Sequence, residues 1–512
     1  MNKQGEIMQR INFEAGEKFP TDEIMKRNRD ILENHKLYKG CQTEVYLPAF
    51  LARLELAGVT HTIGDRDYSI YDDVIKNKYE DVLQGVNVTA PICDFYADLL
   101  FGVGIEITAD KNEDWISEWM ESVDLGAKLH AAQKGSGYRG DAVIKVWENT
   151  EGKAKIAAIP AEYWIPITSL EDRCSIEKDA IVHQIELDSN QRKLYRNKTG
   201  EKSVLRVIIY EKGQNTYKAF LKVDGKLGEQ IAWDENRLGE LPNNAVLQDD
   251  ELTYIEETGY DYSMIQRVPN KADDNEVFGL PFITKSFKEQ ERELCIRATQ
   301  RGRVLDKNAD PGMEGPSQRS ETNPVTGAKN VKVNGKYIER EQDDVETRYI
   351  TWQGDLLESR ESEKLAMQYI YQETGTNAAA LAASTEGLNI ISGTAFEKVL
   401  MRPLSIANNL KMNWKPIINR IIKLAHQIEK GGDIQPDVRF EDGLPKSYKQ
   451  QLEETKLANG GEPVISQKTG IKRANPTYTE EQVIEEFEEI LDETQRRESF
   501  VPLVGETEFG EE

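Results

Sequence analysis

Val204-Leu205-Arg206-Val207-Ile208-Ile209-Tyr210 and, a short step on, Tyr217-Lys218-Ala219-Phe220-Leu221-Lys222-Val223 decide the fold class. Both runs are dense in β-branched and aromatic residues, which suit a pleated, buried surface, and Asp224-Gly225 behind the second is a hairpin turn signal. Working outward, Ala142–Trp147, Ile156–Ile159 and Ile181–Ile185 have the same character. Residues from Ile105 to about Ile255 therefore predict an antiparallel sheet region. Helical patterns flank it on both sides, so the expected class is α+β.

Upstream, a short helix is expected over Thr21–Leu37, without a capping box because Ile24 stands three residues after Thr21. Asp65–Gly85 reads as a helix leading into an apolar one, Val88–Phe101, closed by Gly102 and Gly104. Downstream, Phe282–Leu305 is a charged helix. Phe287, Leu294, Ala298 and Leu305 form one narrow stripe on it, while Ile283, Ile296 and Val304 fall off the stripe. Such a helix stands in solvent or packs sideways against copies of itself. Asn308–Gly335, with three prolines and four glycines, reads as a compact hairpin-rich insert, with small strands at Asn330–Val333 and Val345–Trp352. A second charged helix, Leu356–Glu373, carries Ala366, Met367, Ile370 and Tyr371 on one side.

Gly375–Gly393 is rich in Ala, Ser and Gly, and is longer than the about 2–8 residues that usually join two helices. Ala395–Glu429 has the strongest helical period, and Pro403 and Pro416 are expected to interrupt and kink it. Two short helices should close the chain, Lys446–Asn459 and one opening on a Thr479/Gln482 capping box that buries Val483, Phe487, Ile490 and Leu491. Beyond Gln495 the acidic tail is expected to be disordered.

Composition narrows the function. The chain has 512 residues, with 65 basic against 90 acidic side chains and a net charge of −25. That balance opposes tight wrapping of nucleic acid, yet suits a protein that lets DNA pass without sticking. The most apolar stretch, Ile92–Ile105, contains Asp94 and Asp98, so no membrane span is expected. The first residues hold no apolar run, and no secretory signal is expected. Cys41, Cys93, Cys174 and Cys295 lie 52 to 121 residues apart, which fits a reducing compartment rather than a disulfide scaffold or zinc site. Five scattered histidines offer no metal-ligand spacing.

Gly135-Ser136-Gly137-Tyr138-Arg139-Gly140 matches G-x-G-x-x-G, but a helix precedes it and a strand follows, the reverse of a dinucleotide site. It reads as a helix-to-strand turn. No P-loop and no Gly-x-Ser-x-Gly elbow occurs. Glu485-Glu486 and Glu488-Glu489 read as a solvated helix face. Tyr38, Tyr46, Tyr163, Trp164 and Trp352 lack the interleaved basic residues of a base-stacking platform, so core packing is expected of them. No catalytic, metal or cofactor-binding residue is assigned, and no enzyme activity or cofactor is expected.

The order of these parts resembles the portal proteins of tailed double-stranded DNA bacteriophages, of the siphovirus type. The resemblance rests on Tyr38-Lys39-Gly40, on Asn87 through Asp98-Leu99-Leu100-Phe101-Gly102, on Gly140-Asp141-Ala142, and on Ile159-Pro160-Ala161-Glu162. Val277-Phe278-Gly279-Leu280, Ser392-Gly393-Thr394-Ala395 and Val464-Ile465-Ser466-Gln467-Lys468-Thr469-Gly470 complete it. It implies a homo-dodecameric ring at one capsid vertex, a conduit for packaging and ejecting DNA. The implied partners are the terminase large subunit, the head–tail adaptor, major capsid and scaffolding proteins, and double-stranded DNA held non-specifically. No membrane partner is implied; the location would be the virion, after assembly in the host cytoplasm.

By the same resemblance, residues 1–281 look like the wing, 282–305 and 356–373 like the stem helices, and 306–355 like the clip. Residues 374–393 would be the tunnel loop, 394–445 the long kinked helix and return to the wing, 446–495 the crown and 496–512 an acidic tail. Asn377, Ser384, Thr385, Glu386 and Asn389 would be residues of that tunnel loop of the DNA channel, and Lys329, Lys332 and Lys336 would be clip surface for terminase or adaptor. Pro403, so early in the long helix, and the acidic tail depart from the family pattern. The rival expectations are another structural virion component, such as a minor capsid or scaffold-associated protein, and a hydrolase using unrecognised carboxylates.

Overall fold

The computed structural model describes residues 10–56, 60–63, 66–69, 83–172, 174–186, 203–223, 225–309, 313–316, 337–340, 348–349, 357–381, 393–440, 466–475 and 478–499. The fold is α+β. The chain divides into two compact units, residues 1–442 and 443–512.

The first unit opens with α1 (Asp22–Tyr38), α2 (Gln42–Leu56) and a hairpin of β1 (Thr60–Ile63) and β2 (Arg66–Ser69). Then come α3 (Thr89–Phe101), β3 (Ile105–Ala109), α4 (Glu113–Ser122) and α5 (Leu125–Arg139). Strands β4 (Asp141–Glu148), β5 (Ala154–Ile159), β6 (Trp164–Thr168), β7 (Ile176–Glu186), β8 (Ser203–Glu211) and β9 (Gln214–Val223) follow. After them lie β10 (Lys226–Ile231), β11 (Ala245–Leu247), β12 (Tyr254–Glu257) and β13 (Ile265–Pro269). Helix α6 (Lys285–Ala309) leads to three short strands, β14 (Met313–Pro316), β15 (Tyr337–Arg340) and β16 (Arg348–Tyr349). Helices α7 (Leu357–Thr374) and α8 (Gly393–Glu429) and strand β17 (Pro436–Phe440) close the unit.

Among the described residues, β6 to β12 form a seven-stranded antiparallel sheet in the order β11-β12-β9-β8-β7-β6, with β10 also on β9. The free edge of β9 is shared: β12 pairs its residues 214–217 and β10 its residues 219–223. Both faces of this sheet are buried. Val204, Ile208 and Tyr210 pack with Trp164, Trp233 and Ile265 on one side. Leu205, Val207 and Ile209 pack with Ile11, Phe13 and Phe19 on the other. That double cover is why residues 204–210 read as one continuous apolar run instead of alternating. The second cover is an N-terminal arm, bonded to the β9–β10 hairpin through Gly16 N to Leu227 O (2.7 Å) and Phe19 N to Gly225 O (3.0 Å). Phe13 is fully buried there, a burial that contributes roughly 2–3 kcal/mol and helps hold an arm with no helix or ladder of its own.

Thr21 caps α1, its hydroxyl accepting from Ile24 N at 3.3 Å. A lone N-cap thus supplies one of the two hydrogen bonds that a box would make. Three expectations need correction. Residues 66–69 belong to a hairpin, not to a helix, and α2 stands where no helix was expected, with Pro48 inside it. The end of α3 is as expected: the helix stops at Phe101 with Gly102 as its cap, and Gly104, at φ +112°, turns the chain left-handed behind it.

The third correction concerns α6, which is neither solvated nor reserved for copies of itself over its first half. Phe287, Glu291, Leu294, Cys295, Ile296, Ala298 and Thr299 are all buried within the chain, while Leu305, the last residue of the predicted stripe, is 50% exposed. Helix α7 lies along α6, with Ala366 and Ile370 buried and Arg301 paired to Glu363 across the contact. Between the two helices, β14 runs parallel to β15 and antiparallel to β16. Of the two small strands expected there, residues 330–333 lie outside the described residues, and β16 falls inside the second.

Helix α8 runs unbroken for 37 residues through both prolines. Trp414 anchors it, fully buried, with its indole N–H on Gln133 Oε1 at 2.6 Å and its ring edge-on to Phe101. In the second unit, α9 (Gln467–Ala474) is capped by Ser466, and α10 (Glu480–Ser499) opens on the expected box: Thr479 N donates to Gln482 Oε1 at 2.9 Å, and Gln482 N to Thr479 Oγ1 at 3.4 Å. Val483 is buried, but Leu491 is 41% exposed, and α10 continues past Gln495 to Ser499 where disorder was expected. The helix expected at 446–459 lies outside the described residues.

Candidate functional site

Of the residues expected to face a channel or a partner, Asn377 is described. Ser384, Thr385, Glu386, Asn389, Lys329, Lys332 and Lys336 lie outside the described residues. Asn377 sits where the chain leaves α7, and four elements converge on that exit. The hydroxyl of Tyr96 on α3 donates to the Thr374 carbonyl at 2.7 Å. Thr284, just before α6, is hydrogen-bonded to Glu373, and Arg402 on α8 donates to the Gln372 carbonyl at 3.3 Å. Gly375 turns left-handed at φ +70°, a conformation that favours glycine, and Ile406 Cδ1 of α8 packs against it where a Cβ would lie 2.1 Å away, so a side chain there would push Ile406 aside. Asn377 uses both ends of its amide: Nδ2 donates to Val399 O of α8 at 2.8 Å, and Oδ1 accepts from Ala380 N at 2.7 Å. The root of the 374–393 segment is therefore a fixed junction of α3, α6, α7 and α8.

Two buried carboxylates, neither singled out as a site residue by the sequence, organise the rest of the unit. Glu291 on α6 is fully buried. Its Oε1 accepts from Val88 N (2.9 Å), Thr89 N (3.1 Å) and Thr89 Oγ1 (3.1 Å), and its Oε2 from Tyr46 Oη (2.9 Å). It thereby caps the N-terminus of α3 from another helix, in the polarity that a helix N-terminus favours. Burial pushes its carboxyl upward, against the hydrogen bonds that favour the charged form, and pushes the Tyr46 phenol far up. Asp141, at the start of β4, accepts from Arg267 Nε at 2.7 Å and Gly279 N at 3.0 Å, and lies 3.5 Å from Arg27 NH2. Arg27 also stands over the Phe278 ring at 4.1 Å, and its burial draws its pKa down to about 10.

Both carboxylates are occupied by internal donors, so each holds elements together and presents no free oxygen to a substrate. Asp179 differs: burial raises its pKa to about 6, with Trp164 Nε1 at 2.8 Å and Ser263 Oγ at 3.4 Å favouring the charged form.

The Gly135–Gly140 run is also structural. It ends α5 and enters β4, as the order of patterns predicted. Gly137 lets α5 approach α3 until a Cβ would meet Cys93 Sγ at 3.0 Å. Gly140, at φ +94°, touches Gly279 backbone to backbone: a Cβ would fall 2.1 Å from Gly279 O. Of the aromatics, Tyr46 and Trp164 are buried, Tyr38 stacks on Tyr138 at 4.9 Å, and Tyr163 is half exposed against His183 at 4.7 Å. Trp352 lies outside the described residues.

A groove of about 1300 Å³ runs between α1, α2, the start of α6 and residues 275–281. Six acidic and six basic side chains line it, so no net field draws in an anion. Cys174 is on its wall, with no histidine among the described lining residues to serve as its base. Among the described residues, no three His, Cys, Asp or Glu side chains converge as metal ligands would, and no helix is long and apolar enough to cross a membrane.

No family model matches the chain, and no curated protein matches it. Among solved structures, the neck of a native GTA particle computed with C12 symmetry is similar at a TM-score of 0.38 and 9% identity, over 75% of this chain and 89% of that one. A likeness this loose decides neither fold nor function.

Proposed function

We propose that the chain is the subunit of a phage portal ring: twelve copies around a channel at one capsid vertex, through which double-stranded DNA is packaged and ejected. The observation that carries this proposal is the order of the described elements from residue 285 to 429. Two long helices packed side by side bracket a small mixed sheet, a segment rich in small residues follows, and then a 37-residue helix. A portal subunit requires that sequence of parts as stem, clip, stem, tunnel loop and wing helix. The motifs from Tyr38 to Gly470 that resemble the family fall in the same order.

Charge supports the same function. A net −25 per chain keeps overall attraction to a polyanion low, so a duplex can slide rather than lodge. The local excess is reversed where guidance would be useful: residues 394–430 carry seven Lys or Arg against two Glu. The protein acts without its own chemistry; ATP hydrolysis belongs to the terminase, and the Lys329, Lys332 and Lys336 surface docks first the terminase and later the head–tail adaptor. Major capsid and scaffolding proteins surround the ring in the virion.

Light scattering on the purified protein tests this. Twelve copies of a 58.2 kDa chain give a particle of about 700 kDa. A stable dimer or tetramer at all concentrations contradicts it.

A further inference from the structure

Pro403 has no amide hydrogen, so in α8 the carbonyl four residues earlier, that of Val399, is left without its intrahelical donor. Val399 O receives Asn377 Nδ2 at 2.8 Å instead. The other proline lies on a different face: the carbonyl that Pro416 frees belongs to Met412, a residue 67% exposed. We propose that Asn377 is a positioning residue whose side-chain amide replaces the missing Pro403 N–H, splicing the exit of α7 to the first turns of α8 so that the two move as one body.

The surroundings are built for this role. Arg402, next to the proline, reaches back to Gln372 O, and Ile406 packs against Gly375 where a Cβ would lie. Asn377 Oδ1 is held by Ala380 N, which fixes the amide so that Nδ2 faces Val399. No other common side chain of that length accepts from one strand of chain while donating to another. A proline early in α8 and an asparagine two residues after the left-handed glycine are therefore one device. It stands on the contacts around α7 and α8 alone and does not depend on ring assembly.

The test is a double-mutant cycle on the full chain, read by amide hydrogen exchange over residues 400–407. Asn377→Ala and Asn377→Asp should each speed exchange there about fivefold, the loss expected when one buried acceptor goes unmet. Asn377→Asp keeps the acceptor for Ala380 N and removes only the donor. Pro403→Ala supplies the helix's own amide to Val399 O, so Asn377→Ala in that background should leave exchange unchanged. Equal acceleration by Asn377→Ala with and without Pro403 would overturn the proposal. So would wild-type exchange in Asn377→Asp.

Discussion

Replacing Glu291 by alanine would remove the shared acceptor of five donors: Val88 N, Thr89 N, Thr89 Oγ1, Tyr46 Oη and, at 3.4 Å, Gln42 Nε2. Val88 N and Thr89 N are backbone groups at the first turn of α3 and cannot turn away; they lie 2.9 and 3.1 Å from Oε1. An unmet buried donor costs about 1–3 kcal/mol, so the two amides alone cost about 2–6 kcal/mol, with about 4 as the central value. Tyr46 and Thr89 add less, because a hydroxyl can rotate toward another acceptor. Glu291→Gln should cost much less, about 1 kcal/mol, since its Oε1 still accepts from both amides and its NH₂ can donate to the Tyr46 oxygen. The assay is native-state hydrogen exchange at the amides of residues 88–96, with thermal unfolding alongside. A loss of about 4 kcal/mol is about a thousandfold in the opening equilibrium, localised to α3 and to the α2–α6 contact. Equal exchange in both variants, or a cost in Glu291→Ala below about 1 kcal/mol, would refute the view that this carboxylate caps α3.

Asp179, with a pKa raised to about 6 from an ordinary value near 3.9, stabilises fully below pH ~4 and loses that contribution as pH rises through 6. Wild type should therefore lose about 2–3 kcal/mol relative to Asp179→Asn between pH 4 and 7.5, and parallel denaturation profiles would contradict this. Gly140→Ala puts a Cβ 2.1 Å from Gly279 O at a positive φ; a loss above about 3 kcal/mol, or failure to accumulate folded protein, is expected in thermal unfolding. Replacing Lys329, Lys332 and Lys336 together by alanine should weaken capture of a purified terminase large subunit at least tenfold while leaving particle mass unchanged, and undiminished capture would remove these residues from the docking surface.

Much of the first unit is legible in sequence where one physical force dominates. The runs 142–147, 156–159, 181–185, 204–210 and 217–223 read correctly as strands, and 204–210 stands out most because both faces of its sheet are covered. Strand β6 (Trp164–Thr168) is not read as a strand in the sequence. Residues 395–429 read as a helix because apolar spacing persists through both prolines. Legibility fails where burial is polar. The buried face of α6 looks thin only because Glu291, Cys295 and Thr299 occupy it, and each is satisfied by a partner more than 200 residues away in sequence: Thr89, Val86 and Gln84. The arm of residues 10–20 reads as polar, yet Ile11, Phe13 and Phe19 seal one face of the sheet. Helix α2 has Pro48 in its interior, which hides it. At the candidate site, the sequence marks Asn377 only by its place in a small-residue segment; its bond to Val399 requires the three-dimensional approach of α8.

Electron microscopy of the purified full chain tests the central claim most directly. The portal proposal predicts closed rings with twelvefold symmetry and an open axial channel lined by the segment of residues 374–393. Fields of separate monomers or dimers, at concentrations where light scattering finds no larger species, would contradict it.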